Sequence, residues 1–326
     1  MNKVLKHIFS LYLPLVSFVL LTGCIKENLE GCERCIGFEY FADGDTDVFP
    51  EYIERVSLYV FDENDQLLTA EQLGRSNPIV LEQNDLNKYQ GVKLMLTGGT
   101  YRFVALGNPN TEQATEVCNL ESGSMAEIVC RNPNCATSEV EGNDPLYLGS
   151  KVVEIPDDKN FATKLRLYSA HVKVSYTVED YVPTEEDTRA NIGYFDLRVR
   201  GVKSEVTFAN NDERNLASGD EVNYMPTLEY MDNGDHVANF NILRHEKESN
   251  VEFDLIKRST GEIMRSFTLT DFLTKFDMYD ISKQEVLIPI VVRFLNAEVK
   301  VTIADWSLIE VDPVFGNGYN EDDYYM

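Results

Sequence analysis

The chain has no apolar run long enough to cross a bilayer as a helix. Its longest, Ile8–Leu21, spans 14 residues, where ~20 are needed. Histidine is scarce too. Of four in 326 residues, His7 lies in the leading stretch, leaving His171, His236 and His245. None stands in an H-E-x-x-H zinc arrangement, and no P-loop, Rossmann glycine pattern or G-x-S-x-G elbow occurs. Without a histidine set beside a nucleophile, the many Ser and Asp residues support no catalytic triad. The expectation is a non-enzymatic protein with neither cofactor nor metal. Basic residues are outnumbered, 29 Lys and Arg against 55 Asp and Glu, for a net charge of −26. A surface this acidic repels nucleic acid, which is excluded as a partner. Tryptophan occurs once, at Trp306. In a glycan-binding protein it would be a stacking platform. Beside a terminal strand it reads as filler of a core or groove.

What is present begins at the N-terminus. Lys3 and Lys6 precede the apolar run, which closes on Leu21-Thr22-Gly23-Cys24. Basic n-region, short h-region and small residues before a cysteine make a lipoprotein signal, with cleavage between Gly23 and Cys24. Cys24 would then carry acyl chains, each buried CH₂ adding ~0.8 kcal/mol of membrane affinity. The alternatives are a secreted protein with a chance cysteine, or a short membrane anchor.

With Cys24 committed to lipid, five cysteines remain: Cys32, Cys35, Cys118, Cys130 and Cys135. An exported chain can oxidise them, and the odd count leaves at least one thiol free or paired between molecules. The spacings Cys32-x-x-Cys35 and Cys130-x4-Cys135 also admit a zinc site, which the compartment disfavours. Spacing does not give the pairing. Asp43, Asp45, Asp47 and Glu54 fall at positions 1, 3, 5 and 12 of a calcium loop, but position 6 is Val48 and Pro50 intrudes. An acidic surface turn is the better reading.

Beyond residue 36 the pattern is strand after strand. Ile53–Phe61 alternates, with Val56, Leu58 and Val60 on one face and Ser57 and Tyr59 on the other. Val92–Leu96 and Tyr101–Leu106 flank Thr97-Gly98-Gly99-Thr100, a hairpin signature. Residues 111–145 are less regular, with room for a short helix. Tyr147–Ile155 reads as a strand, and Pro156–Asn160 as a linker. A second series follows: 170–178, 194–202, 237–243, 251–256, 263–269, 285–294 and 298–303. Turns are expected at Ser259–Glu262 and Leu295–Ala297. Asp271–Asp280 reads as a short helix capped by Asp271. Many short strands and no long amphipathic helices argue for an all-β chain of sandwiches. The expected parts are a signal peptide (1–23), a lipidated tether (24–36), an N-terminal β-sandwich (37–158) and a C-terminal β-sandwich with an acidic, aromatic tail (159–326).

Four features stand in the order found in one family. They are the lipobox Leu21–Cys24 with cysteines soon after; Val56-Ser57-Leu58-Tyr59-Val60-Phe61-Asp62; Gly99-Thr100-Tyr101-Arg102-Phe103-Val104-Ala105-Leu106-Gly107-Asn108; and Val299-Lys300-Val301-Thr302-Ile303-Ala304-Asp305-Trp306. With these the chain resembles the FimB-type fimbrial anchor subunits, lipoproteins of type V pili in Bacteroidales. The resemblance implies two tandem transthyretin-like (Greek-key) β-sandwiches. It implies a basal anchor holding a pilus shaft to the outer membrane, surface-exposed and partnered by fimbrial shaft subunits through strand addition. Shaft subunits in this system lose an N-terminal strand to an arginine-specific protease. An anchor cut at Arg34 would lose its lipid unless a disulfide bridged the break. The freer segment for strand donation is then the C-terminal one, with Trp306, Leu308, Val311, Phe315 and Tyr319 as contact residues. A surface glycan-binding lipoprotein and a pilus tip adhesin are the rival readings.

Overall fold

The computed structural model describes residues 34–303, apart from 138–139, 158–159, 186, 188–192, 210–213, 277 and 296–297. The architecture is all-β, as the strand pattern predicts, with short helical turns between strands. The first strand, β1 (Arg34–Glu39), starts inside the expected tether. It is followed by β2 (Val56–Phe61), β3 (Ile79–Leu81), β4 (Gly91–Lys93), β5 (Gly99–Gly107), β6 (Glu116–Cys118), β7 (Val129–Arg131) and β8 (Tyr147–Ile155). Then come β9 (Phe161–Arg166), β10 (Tyr168–Ser169), β11 (His171–Glu179), β12 (Phe195–Thr207), β13 (Ser218–Tyr224) and β14 (Glu229–Tyr230). The chain continues through β15 (His236–Leu243), β16 (Glu252–Lys257), β17 (Glu262–Thr268), β18 (Leu287–Leu295) and β19 (Glu298–Ile303).

Among the described residues, four sheets pack around two principal cores. Sheets β4-β1-β9 and β10-β8-β5-β2-β3 enclose the first, with Phe38, Val56, Leu58, Val60, Phe103 and Leu165 inside. Sheets β14-β15-β11-β18-β19 and β17-β16-β12-β7-β6 enclose the second, with Val174, Tyr176, Leu197, Phe253, Phe272 and Ile290 inside. Each such side chain contributes ~1.5–3 kcal/mol by leaving water. β12 spans both ends of its sheet because it bends at Gly201. There φ is +76°, and a Cβ would sit 2.3 Å from the Asn250 carbonyl oxygen. The register shift between Val199 and Val202 marks the bulge. Before it β12 pairs with β16, and beyond it with β7.

Three sequence expectations are corrected. The glycines at 98–99 do not close a hairpin: β4 pairs with β1, and β5 with β2 and β8. Pro156–Asn160 does not separate the halves. β9 crosses back to lie parallel to β1, and β10 pairs with β8, so residues 161–169 complete the first pair of sheets. The β6–β7 hairpin, from the irregular stretch 111–145, goes the other way and joins β12. A third apolar cluster fills the junction, with Tyr59, Phe61, Val104 and Leu106 against Ile128, Cys130, Val206 and Phe208. β2 is therefore buried at all six positions instead of presenting one face to water.

Candidate subunit interface

The residues singled out for chemistry are absorbed into the fold. His171 is fully buried, and burial pushes it down to about 3. Its Nδ1 lies 3.0 Å from the Leu146 carbonyl oxygen and 3.2 Å from Ser169 Oγ. A neutral ring donating to that carbonyl fits both contacts. His236 and His245 are likewise lowered by burial. The Cys130 thiol is raised to about 12 by burial and donates to the Val206 carbonyl oxygen at 3.5 Å. Cys135 Sγ donates to Ser204 O at 3.6 Å. Burial raises the Cys118 and Cys135 thiols too, which removes nucleophilic thiolate character.

Of the five candidate cysteines, Cys118, Cys130 and Cys135 are free thiols. Val117, not Cys118, stands opposite Cys130 across the β6–β7 ladder, so the two thiols point to opposite faces. Cys35, buried in β1, is half of a disulfide whose other half lies outside the described residues. Gly23, Cys24 and Cys32 are outside them as well, as are Trp306, Leu308, Val311, Phe315 and Tyr319. No helix among the described residues is long and apolar enough to cross a membrane.

The acidic turn bolts the two halves together. Asp43 accepts the backbone N–H groups of Gln284, at 3.0 Å, and Glu285. Asp47 folds inward to accept Tyr40 N at 3.1 Å and Phe49 N at 3.2 Å. Asp45 and Glu54 are exposed. Glu285 then accepts the hydroxyls of Tyr40, at 2.6 Å, and Tyr147, at 2.8 Å. Burial, followed by the Glu285 charge, raises both phenols, so they stay protonated donors. On the far side the buried Arg244 guanidinium donates to the carbonyls of Ile281, Lys283 and Gln284 at 2.7–2.8 Å and of His171 at 3.2 Å. Segment 281–285 is held from both halves. The pairings of Asp43, Tyr40 and Tyr147 with this segment are unreadable in sequence because the partners are more than 100 residues apart.

The surface best suited to a partner is a groove of about 910 Å³ at one end of the second pair of sheets. It lies between two strands that each have one partner among the described residues, β17 (on β16) and β19 (on β18). The helix Leu269–Lys275 closes one side. Its cap is Thr268, whose hydroxyl accepts Asp271 N at 3.0 Å, so the expected cap Asp271 is instead a residue of the first turn. The floor is apolar and half-buried, with Met264, Phe267, Phe276, Val299 and Val301. The rim carries Arg265, Lys275, Arg293 and Lys300 against one acid, Asp271. Arg293 is engaged by Glu179 and Asp180, while Lys275 reaches the Val301 carbonyl at 3.5 Å.

This fold is shared with solved bacterial surface proteins. A candidate polysaccharide-binding protein of Bacteroides thetaiotaomicron superposes with a TM-score of 0.64 at 15% identity, covering 85% of this chain and 99% of that one. A candidate adhesin of the same organism gives 0.60 at 16%, covering 83% and 95%. The fimbrial anchor protein Mfa2 of Porphyromonas gingivalis gives 0.56 at 16%, also covering 83% and 95%. At such identities these likenesses speak for the fold alone. Among curated proteins none matches. The decisive match is in sequence, where the profile of one family covers residues 29–312 and so every strand described above. The chain belongs to the family of fimbrillin-A associated anchor proteins Mfa1 and Mfa2.

Proposed function

We propose that this protein is the lipid-anchored basal subunit of a fimbrium. It is a non-enzymatic lipoprotein that holds the shaft at the outer membrane, on the cell surface, and contacts it by strand addition. The observation that carries the reading is the order along the chain. A lipobox ending at Cys24 stands directly before the family match, which begins at residue 29. Acyl chains on Cys24 would supply the attachment, and the two pairs of sheets, read as transthyretin-like sandwiches, the body. The setting of Arg34 supports retention of the N-terminus. Arg34 and Cys35 lie in β1, hydrogen-bonded to β9 on one edge and β4 on the other. The Arg34 guanidinium donates to the carbonyls of Pro156 and Asp157. A protease must take up the backbone of the segment it cuts, and the backbone of β1 is already held on both edges.

Strand addition would use the segment containing Trp306, Leu308, Val311, Phe315 and Tyr319, whose backbone supplies hydrogen bonds and whose apolar side chains fill pockets. A glycan-binding surface protein or a tip adhesin is the second reading, prompted by the candidate polysaccharide-binding and adhesin proteins of the same fold. The test is Cys24→Ser in cells that make the fimbria. The variant should fold, leave the outer-membrane fraction and shed the shaft with it. Retention of the Ser variant in washed outer membranes overturns lipid anchoring. Loss of the variant with shafts still cell-bound favours the second reading.

A further inference from the structure

The groove between β17 and β19 is unlike the rest of the surface. In a chain of net charge −26 it gathers Arg265, Lys275, Arg293 and Lys300 around an apolar floor, between two strand edges whose free sides carry no ladder among the described residues. Such edges recruit a further strand unless something covers them. We propose that the groove is covered by this chain's own residues 304–326, seated in cis as an added strand.

Three observations select that occupant. The first is continuity: Val301 and Thr302 line the groove, and the segment leaves directly from Ile303. A tethered segment this close acts at mM effective concentration. The second is charge. Residues 304–326 hold Asp305, Glu310, Asp312, Glu321, Asp322 and Asp323 and no Lys or Arg, the complement of the rim. The third is the apolar set. Trp306, Leu308, Ile309 and Val311 match a floor of phenylalanine, methionine and valine.

The strand adds to β17 rather than to β19. Returning along β19 needs a tight reversal, and Ala304-Asp305-Trp306-Ser307 lacks the Asn-Gly, Asp-Gly or Gly-x pair that two-residue hairpin turns favour. Crossing to the facing sheet needs only ~10 Å, about three residues at ~3.3 Å each. The arrangement does not depend on lipid anchoring. Where the anchor reading also holds, the segment that would contact the shaft is parked on its own subunit until a partner competes for it.

Trp306 is the single tryptophan and reports on its own segment. The experiment uses the mature chain with Cys24→Ser, and follows tryptophan emission and acrylamide quenching. Short-wavelength emission protected from acrylamide is expected in a monomer at every concentration. Arg265→Glu with Lys275→Glu should shift the emission to longer wavelength and abolish the protection, with the circular dichroism and melting midpoint unchanged. If that pair fails to fold, Arg265→Gln with Lys275→Gln should give the same shift in smaller measure. Solvent-exposed emission in the unmutated groove overturns the proposal. So does protection indifferent to the rim charges, which would place the segment elsewhere. Protection that appears only with dimerisation also overturns it, and assigns the groove to a second copy.

Discussion

Burial holds His171 neutral where the two halves meet, and that has a sign in pH. The folded ring is lowered to about 3, while the unfolded one titrates near 6.5. Below pH ~6.5 the unfolded chain binds a proton that the folded chain refuses. Stability contributed by the neutral ring is thus complete above that pH and is lost as pH falls towards 3, at about 1.4 kcal/mol per unit. His236 and His245 are lowered in the same direction. Urea midpoints measured between pH 7 and 4 should fall steadily, and His171→Gln should flatten the slope while lowering the plateau. An unchanged slope would mean that His171 is protonated in the fold. Asp254 makes the opposite case. Burial raises it, but hydrogen bonds from Arg200 and Arg198 prevail and hold it low. It accepts both guanidinium groups at 2.8 Å. Asp254→Ala removes the shared acceptor of two part-exposed arginines, of which Arg200 keeps Glu252 at 2.9 Å, and should cost roughly 1.5–3 kcal/mol in a denaturant titration.

Among the elements, the helix that walls the groove depends on its cap. Thr268→Ala removes the acceptor for Asp271 N and should lower stability by about 1 kcal/mol, measured by thermal melting. Thr268→Ser should restore it. Sequence placed this helix because Phe272, Leu273 and Phe276 share a face, but it missed the cap by three residues, since Asp271 and Thr268 are both competent. Tyr147–Ile155 and Glu298–Ile303 were readable to the residue. Each is long enough for alternation to show, and turn residues bound each one. β1, β6, β7 and β9 were not readable. Glu116–Cys118 and Val129–Arg131 have three residues each, too few for a pattern, while Arg34–Glu39 is buried at four successive positions and so does not alternate, and its partner β9 lies far away in the chain. The glycine turn at 97–100 misled for the same reason: a turn residue marks a change of direction, not which strand will pair. The groove was legible only in halves. Its apolar residues read as strand and helix cores, and only the fold brings Arg265 and Lys300 to one rim.

At the scale of the whole molecule, the halves trade elements. β9 follows the Pro156–Asn160 stretch yet completes the first pair of sheets, and β6–β7 precede it yet complete the second. Separate expression of residues 34–158 and 159–303 should therefore give two poorly folded pieces. The first loses Leu165 and Leu167 from its core and uncovers one edge of β1. The second loses Ile128 and Cys130 from the junction. Residues 34–303 together should melt in one cooperative transition by calorimetry. Two separately cooperative fragments would show that the exchange is dispensable.

The place of β1 within its sheet matters most when the molecule is pulled. From Arg34 to Glu39 it is flanked by β9 in parallel register, with β4 antiparallel on its other edge from Gly37 to Cys35. A load arriving at Arg34 from the N-terminal side acts along the strand axis, across the ladder bonds, which lie sideways to it. The bonds then share the force and must yield together in shear. Tension at an outer strand such as β17 would instead unzip them one after another. If the proposed anchor reading holds, a subunit loaded at β1 would resist a fibre's pull in shear, at the end of the described chain nearest the proposed lipid.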